Sequence, residues 1–223
     1  FMKNFFVINF HGDSTLVIKL GEEIDIKTNQ MLHEIVHLLE IDLKSNDYIE
    51  DIYPTFNSII IDYDNLLIDF ENLKSLINKK LLTFIKKYKT DSDEKKIIEV
   101  PVKYGSENGP DLSMMSDKLK ISEEKIIEIH TSSLYRIFMI GFMPGFPYLG
   151  GLSKKISFPR LSTPRISVPA GSVGIAGIQT GIYPFASPGG WNIIGKTEKK
   201  LFDINLNPPA LLEAGTNLRF VKI

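Results

Sequence analysis

Two groups of residues in this 223-residue chain have the types and spacing for chemistry. The first is His33-Glu34-Ile35-Val36-His37, an H-E-x-x-H pattern. On a helix such a pattern can set two imidazoles beside a zinc ion with the glutamate as general base. At 100° per residue, however, His33 and His37 fall with Gln30, Glu40 and Lys44, opposite an apolar stripe. The pattern therefore describes a solvated helix face, and no metal is expected there. The second group is Lys154, Arg160, Arg165, Gln179, Thr180, Tyr183, Ser187 and Asn192. They lie in residues 141–195, a segment without a single Asp or Glu. A pocket built from it would be positive and would suit a carboxylate or a phosphate, which the planar fork of arginine matches best. A second reading of Arg165, as a surface salt bridge to the acidic first half, stays open.

The same 55 residues hold 11 of the 16 glycines and 7 of the 12 prolines. The glycines form neither a phosphate loop nor a dinucleotide fingerprint, and they open no helix. Ser172 is not in a G-x-S-x-G elbow, which argues against a serine hydrolase. The glycines can serve close backbone approach in a tight barrel, or cradle a ligand. His130, the histidine nearest this segment, is placed either as a general acid or base or as a helix C-terminal residue meeting free carbonyls. Strand alternation puts Tyr135 and Arg136 on opposite faces.

These residues must be held by elements that change character along the chain. Residues 1–95 carry a net charge of −6, with one proline and two glycines, whereas residues 141–223 carry +6. Strands are expected at 4–10 and 15–20 around a Gly12-Asp13 turn, then a helix capped by Thr28 with Met31, Leu32, Ile35, Val36, Leu39 and Leu43 on one side. Strands at 48–53 and 58–63, a helix capped by Asp69 and a strand at 95–102 follow. From Thr15 this is a β-α-β-β-α-β order, that of a ferredoxin-like α/β sandwich with one extra N-terminal strand. A helical connector at 110–132 leads, through a buried strand at 134–140, into short strands at 166–168, 172–176, 191–195, 201–205 and 217–223. That spacing indicates a sandwich or a barrel. The expectation is thus α+β with two domains, 1–95 and 96–223.

Composition excludes other classes. A net charge of −1 with 43% hydrophobic residues describes a folded globular protein rather than one drawn to nucleic acid by bulk charge. No apolar run is long enough for a membrane span. The opening residues alternate and lack a cleavage site, so they predict a strand rather than a leader. The absence of cysteine excludes disulfides and thiolate chemistry and, with no Asn-x-Ser/Thr acceptor, fits the cytoplasm.

The run HTSSLYRIFMIGFMPGFPYLGGL, followed by STPRISVPAGSVGIAGIQTGIYPFASPGGWNIIGKT, resembles the allophanate hydrolase subunit 1 family. That family includes the B subunit of 5-oxoprolinase and the sporulation kinase inhibitor KipI. The likeness is dense over residues 96–207. It implies a ferredoxin-like domain followed by a cyclophilin-like β-barrel. It also implies an ATP-dependent opening of 5-oxo-L-proline to L-glutamate, with a homologous C subunit (KipA-like) and an A subunit as partners. ATP and Mg²⁺ would be co-substrates shared with the C subunit, and the chain alone would be inactive. The resemblance carries over His130, Tyr135, Arg165, Gln179, Thr180, Tyr183, Ser187 and Trp191 as pocket candidates. In the expected roles Arg165 holds a carboxylate or phosphate, while Gln179 and Ser187 bond the lactam amide. Tyr183 and Trp191 form walls, and His130 moves a proton or orients Tyr135. The same resemblance allows a different activity, inhibition of a histidine kinase. A metabolite-binding barrel without a reaction is the plainest alternative.

Overall fold

The computed structural model describes residues 6–88 and 97–223. The chain divides into two compact units, Phe1–Glu94 and Lys95–Ile223. In the first, β2 (Thr15–Leu20) follows β1 (Phe6–His11), and β3 (Ile49–Pro54) is followed by β4 (Ser58–Tyr63). Burial alternates strictly in β2 and β4, so Leu16, Ile18, Leu20, Ile59, Ile61 and Tyr63 share one face. Helices α1 (Ile26–Leu43) and α2 (Phe70–Lys87) lay Leu32, Ile35, Leu39, Leu73, Ile77 and Leu81 into the same core. Asp69 caps α2 as expected, accepting from the Asn72 amide at 2.9 Å. The start of α1 is a correction. Asp25 is the cap and accepts from the Thr28 amide at 3.0 Å, so the helix begins a turn before Thr28.

The sheet order is β1-β2-β4-β3, antiparallel throughout. β4 separates β2 from β3, as a split β-α-β unit requires. The strand expected to complete that sheet from residue 95 does not. β5 (Ile97–Tyr104) belongs to the second unit, and the edge beside β2 is held by β1. The reason is local: β1 and β2 form a hairpin whose turn places Gly12 at φ +65°, and a hairpin partner needs no long loop to close. Residues 4 and 5 of the first expected strand, and 95 and 96 of the later one, lie outside the described residues.

The second unit continues with α3 (Leu112–Leu119) and α4 (Glu123–Ser132), then β6 (Tyr135–Ile140) and β7 (Pro147–Gly150). β8 (Arg165–Val168), β9 (Ser172–Ala176), β10 (Gln179–Ile182), β11 (Ser187–Gly189), β12 (Asn192–Lys196) and β13 (Asn217–Lys222) complete it. Seven strands close in the order β10-β7-β6-β13-β5-β12-β9, which resolves the choice between sandwich and barrel. β13 runs parallel to β5, with Asn217 opposite Ile97, and antiparallel to β6. β8 and β11 form a separate two-stranded ribbon. The barrel is filled by Val100, Val102, Ile137, Leu149, Val173, Ile175, Ile182, Ile194, Leu218 and Phe220, and α4 adds Ile126 and Ile127. The strand expected at 201–205 is absent: only Phe202 makes a bridge, to Ala210. The Asp203 carboxylate instead accepts from the Asn205 amide at 3.0 Å and turns the chain. No helix among the described residues is long and apolar enough to cross a membrane.

Candidate functional site

The residues singled out from the sequence separate into two sets on opposite sides of one strand. In β10, Thr180 and Ile182 point into the barrel, and alternation turns Gln179 and Gly181 outward.

The inner set is built around His130, which is fully buried. Its ring stacks on Phe220 at 4.4 Å and lies 5.4 Å from Tyr135. The Thr180 hydroxyl donates to the Gly174 carbonyl at 2.9 Å, so toward His130 Nε2, 3.0 Å away, it accepts. His130 Nδ1 in turn accepts from the Tyr104 hydroxyl at 2.8 Å. The network thus assigns the proton to Nε2. The Tyr135 hydroxyl donates to the His130 carbonyl at 2.9 Å. Burial lowers the His130 pKa to about 3 and pushes the Tyr104 and Tyr135 phenols far up. All three groups are neutral at physiological pH, with His130 and Tyr135 fully buried and Tyr104 half-buried. His130 lies in the last turn of α4, its carbonyl holds the Tyr135 hydroxyl, and its imidazole ties α4 to β5 and β10 from inside the barrel.

The outer set is aromatic. Phe146, Val168, Tyr183, Trp191 and Ile193 form a second core, with Tyr148 half-buried beside it. Phe146 is its hub, meeting Tyr148 at 5.0 Å, Tyr183 at 5.2 Å and Trp191 at 5.5 Å, each edge to face. Its floor is the glycine side of β9 and β10. A Cβ on Gly181 would lie 3.0 Å from the Trp191 ring and 3.1 Å from that of Phe146. A Cβ on Gly174 would lie 3.0 Å from Trp191 Cβ. Close approach, the first of the two readings of these glycines, is therefore what Gly174 and Gly181 provide. Gly181→Ala should cost about 1–3 kcal/mol. It should also shift the emission of Trp191, the only tryptophan in the sequence, as urea unfolding followed by fluorescence would show.

Arg165 joins this outer face, but its guanidinium is engaged. It bonds Asp111 Oδ1 at 2.6 Å and reaches the Trp191 carbonyl at 3.4 Å. The other Asp111 oxygen accepts from the Ile193 amide at 2.6 Å. The salt-bridge reading of Arg165 is thus the one observed, with a corrected partner: an acid from the connector rather than from the first half. Ser187 lies on β11, whose Gly189 pairs with Arg165, and its hydroxyl donates only to its neighbour Pro188. Burial raises the Tyr183 phenol pKa, with the Trp191 backbone and the Arg160 and Arg165 cations acting against that rise. Gln179 keeps a buried side-chain nitrogen without a partner. Arg165, Tyr183, Ser187 and Trp191 therefore come together outside the barrel, whereas His130, Tyr135 and Thr180 come together inside it.

Asp111, Phe146 and Tyr148 were not singled out from the sequence. Asp111 lies 54 positions from Arg165, and no local pattern announces it. Phe146 and Tyr148 stand in the glycine-rich run, where they could have been found as aromatic partners for exposed glycine backbone. The H-E-x-x-H residues lie on α1 with His37 exposed. Among the described residues no group of three metal-ligating side chains is present.

The Carboxyltransferase domain, subdomain C and D, family matches residues 6–212. The B subunit of 5-oxoprolinase from Bacillus subtilis (strain 168) is 43% identical over 95% of this chain and 90% of its own length. The protein of the same name from Haemophilus influenzae is 42% identical over 94% of each chain. Among solved structures, that of TTHA0988 superposes with a TM-score of 0.79 at 30% identity, covering 94% of this chain but 40% of the longer one. By this family match and by relatives of nearly equal length, the chain belongs to the Carboxyltransferase domain, subdomain C and D, family.

Proposed function

We propose that this chain is the B subunit of an ATP-dependent 5-oxoprolinase, working with the A and C subunits to convert 5-oxo-L-proline to L-glutamate in the cytoplasm. The observation that carries this reading is the 42–43% identity to proteins named as B subunits of 5-oxoprolinase, along almost the whole of both chains. The outer aromatic face agrees with it, because a flat lactam bearing a carboxylate needs an aromatic wall and a cation. With this function we assign the first unit to the ferredoxin-like class, β1 standing in for its fourth strand, and the barrel to the cyclophilin-like class.

A lactam is a poor electrophile, so the proposed reaction activates it. The γ-phosphoryl group of ATP passes to the lactam carbonyl oxygen and ADP leaves. One water adds at that carbon and the C–N bond breaks, the nitrogen taking the proton. A second water releases phosphate and leaves glutamate. Mg²⁺ on the nucleotide wants carboxylate ligands. The carboxylate at this face, Asp111, has both oxygens engaged by Arg165 and Ile193. The residues here do not fit the metal, and we assign the nucleotide and its Mg²⁺ to the C subunit. The test is to purify the chain with and without its A and C partners and follow glutamate formation from 5-oxoproline. The complex should form glutamate only with ATP, and the chain alone should release no ADP. A complex with no turnover, together with inhibition of a histidine kinase by the chain, would replace this reading with the regulatory one.

A further inference from the structure

Arg165 is bonded to Asp111, so its charge is already neutralised. Arg160 differs. It is exposed and makes no hydrogen bond or ion pair among the described residues. Its backbone is nevertheless held on both sides. The Asn192 side-chain Nδ2 donates to the Pro159 carbonyl at 2.8 Å, and the Leu161 backbone amide donates to the Gly190 carbonyl at 2.8 Å. This double staple sets the guanidinium over Gly190, where an ideal Cβ would lie 3.6 Å from Arg160 Nη2 and 3.6 Å from Pro164 Cγ. On the neighbouring Gly189, a Cβ would meet the Tyr183 hydroxyl at 2.5 Å. The tandem glycines thus bring an unpaired guanidinium and a phenol to one spot. The charge of Arg160 is felt electrostatically by both Tyr148 and Tyr183. Tyr148 and Tyr183 belong to the ring cluster of Phe146 and Trp191. A backbone pinned twice to present a cation that pairs with nothing among the described residues, at the edge of an aromatic cluster, is an anion seat.

The geometry points to Arg160, rather than Arg165, as the residue that grips the carboxylate of a small ligand at the rim of the ring cluster, beside the half-buried Tyr148. This rests on the 5-oxoprolinase reading for the choice of ligand, though not for the seat itself. Arg165 is a positioning residue that holds the Trp191 carbonyl and Asp111.

Trp191 is the sole tryptophan and, in the ring cluster beneath the seat, serves as a probe. The full chain is titrated with 5-oxo-L-proline, with 2-pyrrolidinone (the same lactam without its carboxylate), and with acetate and inorganic phosphate. The fluorescence should respond saturably to 5-oxoproline and at least about 10-fold more weakly to 2-pyrrolidinone. Arg160→Gln should weaken 5-oxoproline binding at least about 10-fold, with Arg160→Lys in between, because a charge-assisted bond is lost or reduced. Since Arg160 is exposed, both variants should melt at the wild-type temperature. Binding by Arg160→Gln within about twofold of wild type, against that tenfold expectation, would overturn the assignment and leave the 5-oxoprolinase reading intact. An Arg160-dependent response to acetate or phosphate with none to 5-oxoproline would keep the seat and remove that reading. No saturable response to any of the anions would overturn the seat.

Discussion

Lowering the pH from 7 to 5 should destabilise the second unit by about 2 kcal/mol through His130 alone, and His130→Gln should remove that dependence. The sign follows from the two states. In the folded barrel burial lowers the imidazole pKa to about 3, whereas in the unfolded chain it has the ordinary value near 6.5. Between those values the unfolded chain binds a proton that the folded one refuses. The contribution is therefore intact above pH 6.5 and drains away at roughly 1 kcal/mol per pH unit as the pH falls toward 3. Glutamine retains a donor for Thr180 and an acceptor for Tyr104, so the variant should fold while losing the titration. Urea unfolding of both proteins between pH 5 and 8 checks this. Parallel pH slopes would mean that the imidazole is open to water. Surface carboxylates contribute equally to the two proteins and cancel in the comparison.

Asp111→Ala should be the most damaging single change at the outer face, with an expected cost of about 3 kcal/mol. The side chain is 9% exposed and serves two partners at 2.6 Å, the Arg165 guanidinium and the Ile193 amide. Its removal leaves a partly buried cation unpaired and a buried N–H orphaned. The double variant Asp111→Ala/Arg165→Met should recover part of the loss, because the stranded charge goes with its partner. The N–H of Ile193 stays orphaned in both, so recovery should be incomplete. Urea midpoints of the two single variants and the double variant give the coupling. Strict additivity of the two single losses would show that the pair does not act as a unit.

These two residues mark the boundary of what the sequence disclosed. Periodicity found α1 and α2, because an apolar stripe repeats within one element, and Asp69 declared the start of α2. The long motifs around Arg165, Tyr183 and Trp191 brought the outer cluster into view. Asp111 stayed hidden because an ion pair between residues 54 positions apart leaves no trace at short spacing. The inner placement of His130 was hidden for a similar reason: whether a helix end meets water or a barrel interior depends on strands far along the chain. The misplaced fourth strand of the first unit shows a third case. β-α-β-β-α-β order is a statement about succession, and it cannot tell which of two candidates, β1 or β5, occupies an edge. The charge contrast pointed to a cationic surface. Of the two arginines in residues 141–195, the structure shows Arg165 spent on Asp111 and Arg160 without a hydrogen bond or ion pair among the described residues.

The parallel seam between β5 and β13 governs how fast the barrel can be made. Asn217 must find Ile97 across nearly all of the intervening unit, and until it does β5 and β6 each expose an unpaired edge. Ring closure of that span comes late and slowly, since its entropic toll precedes any contact that repays it. Refolding should accordingly pass through an open, six-stranded species that is prone to self-association. Dilute protein and low temperature during renaturation are the conditions that let the seam win over aggregation.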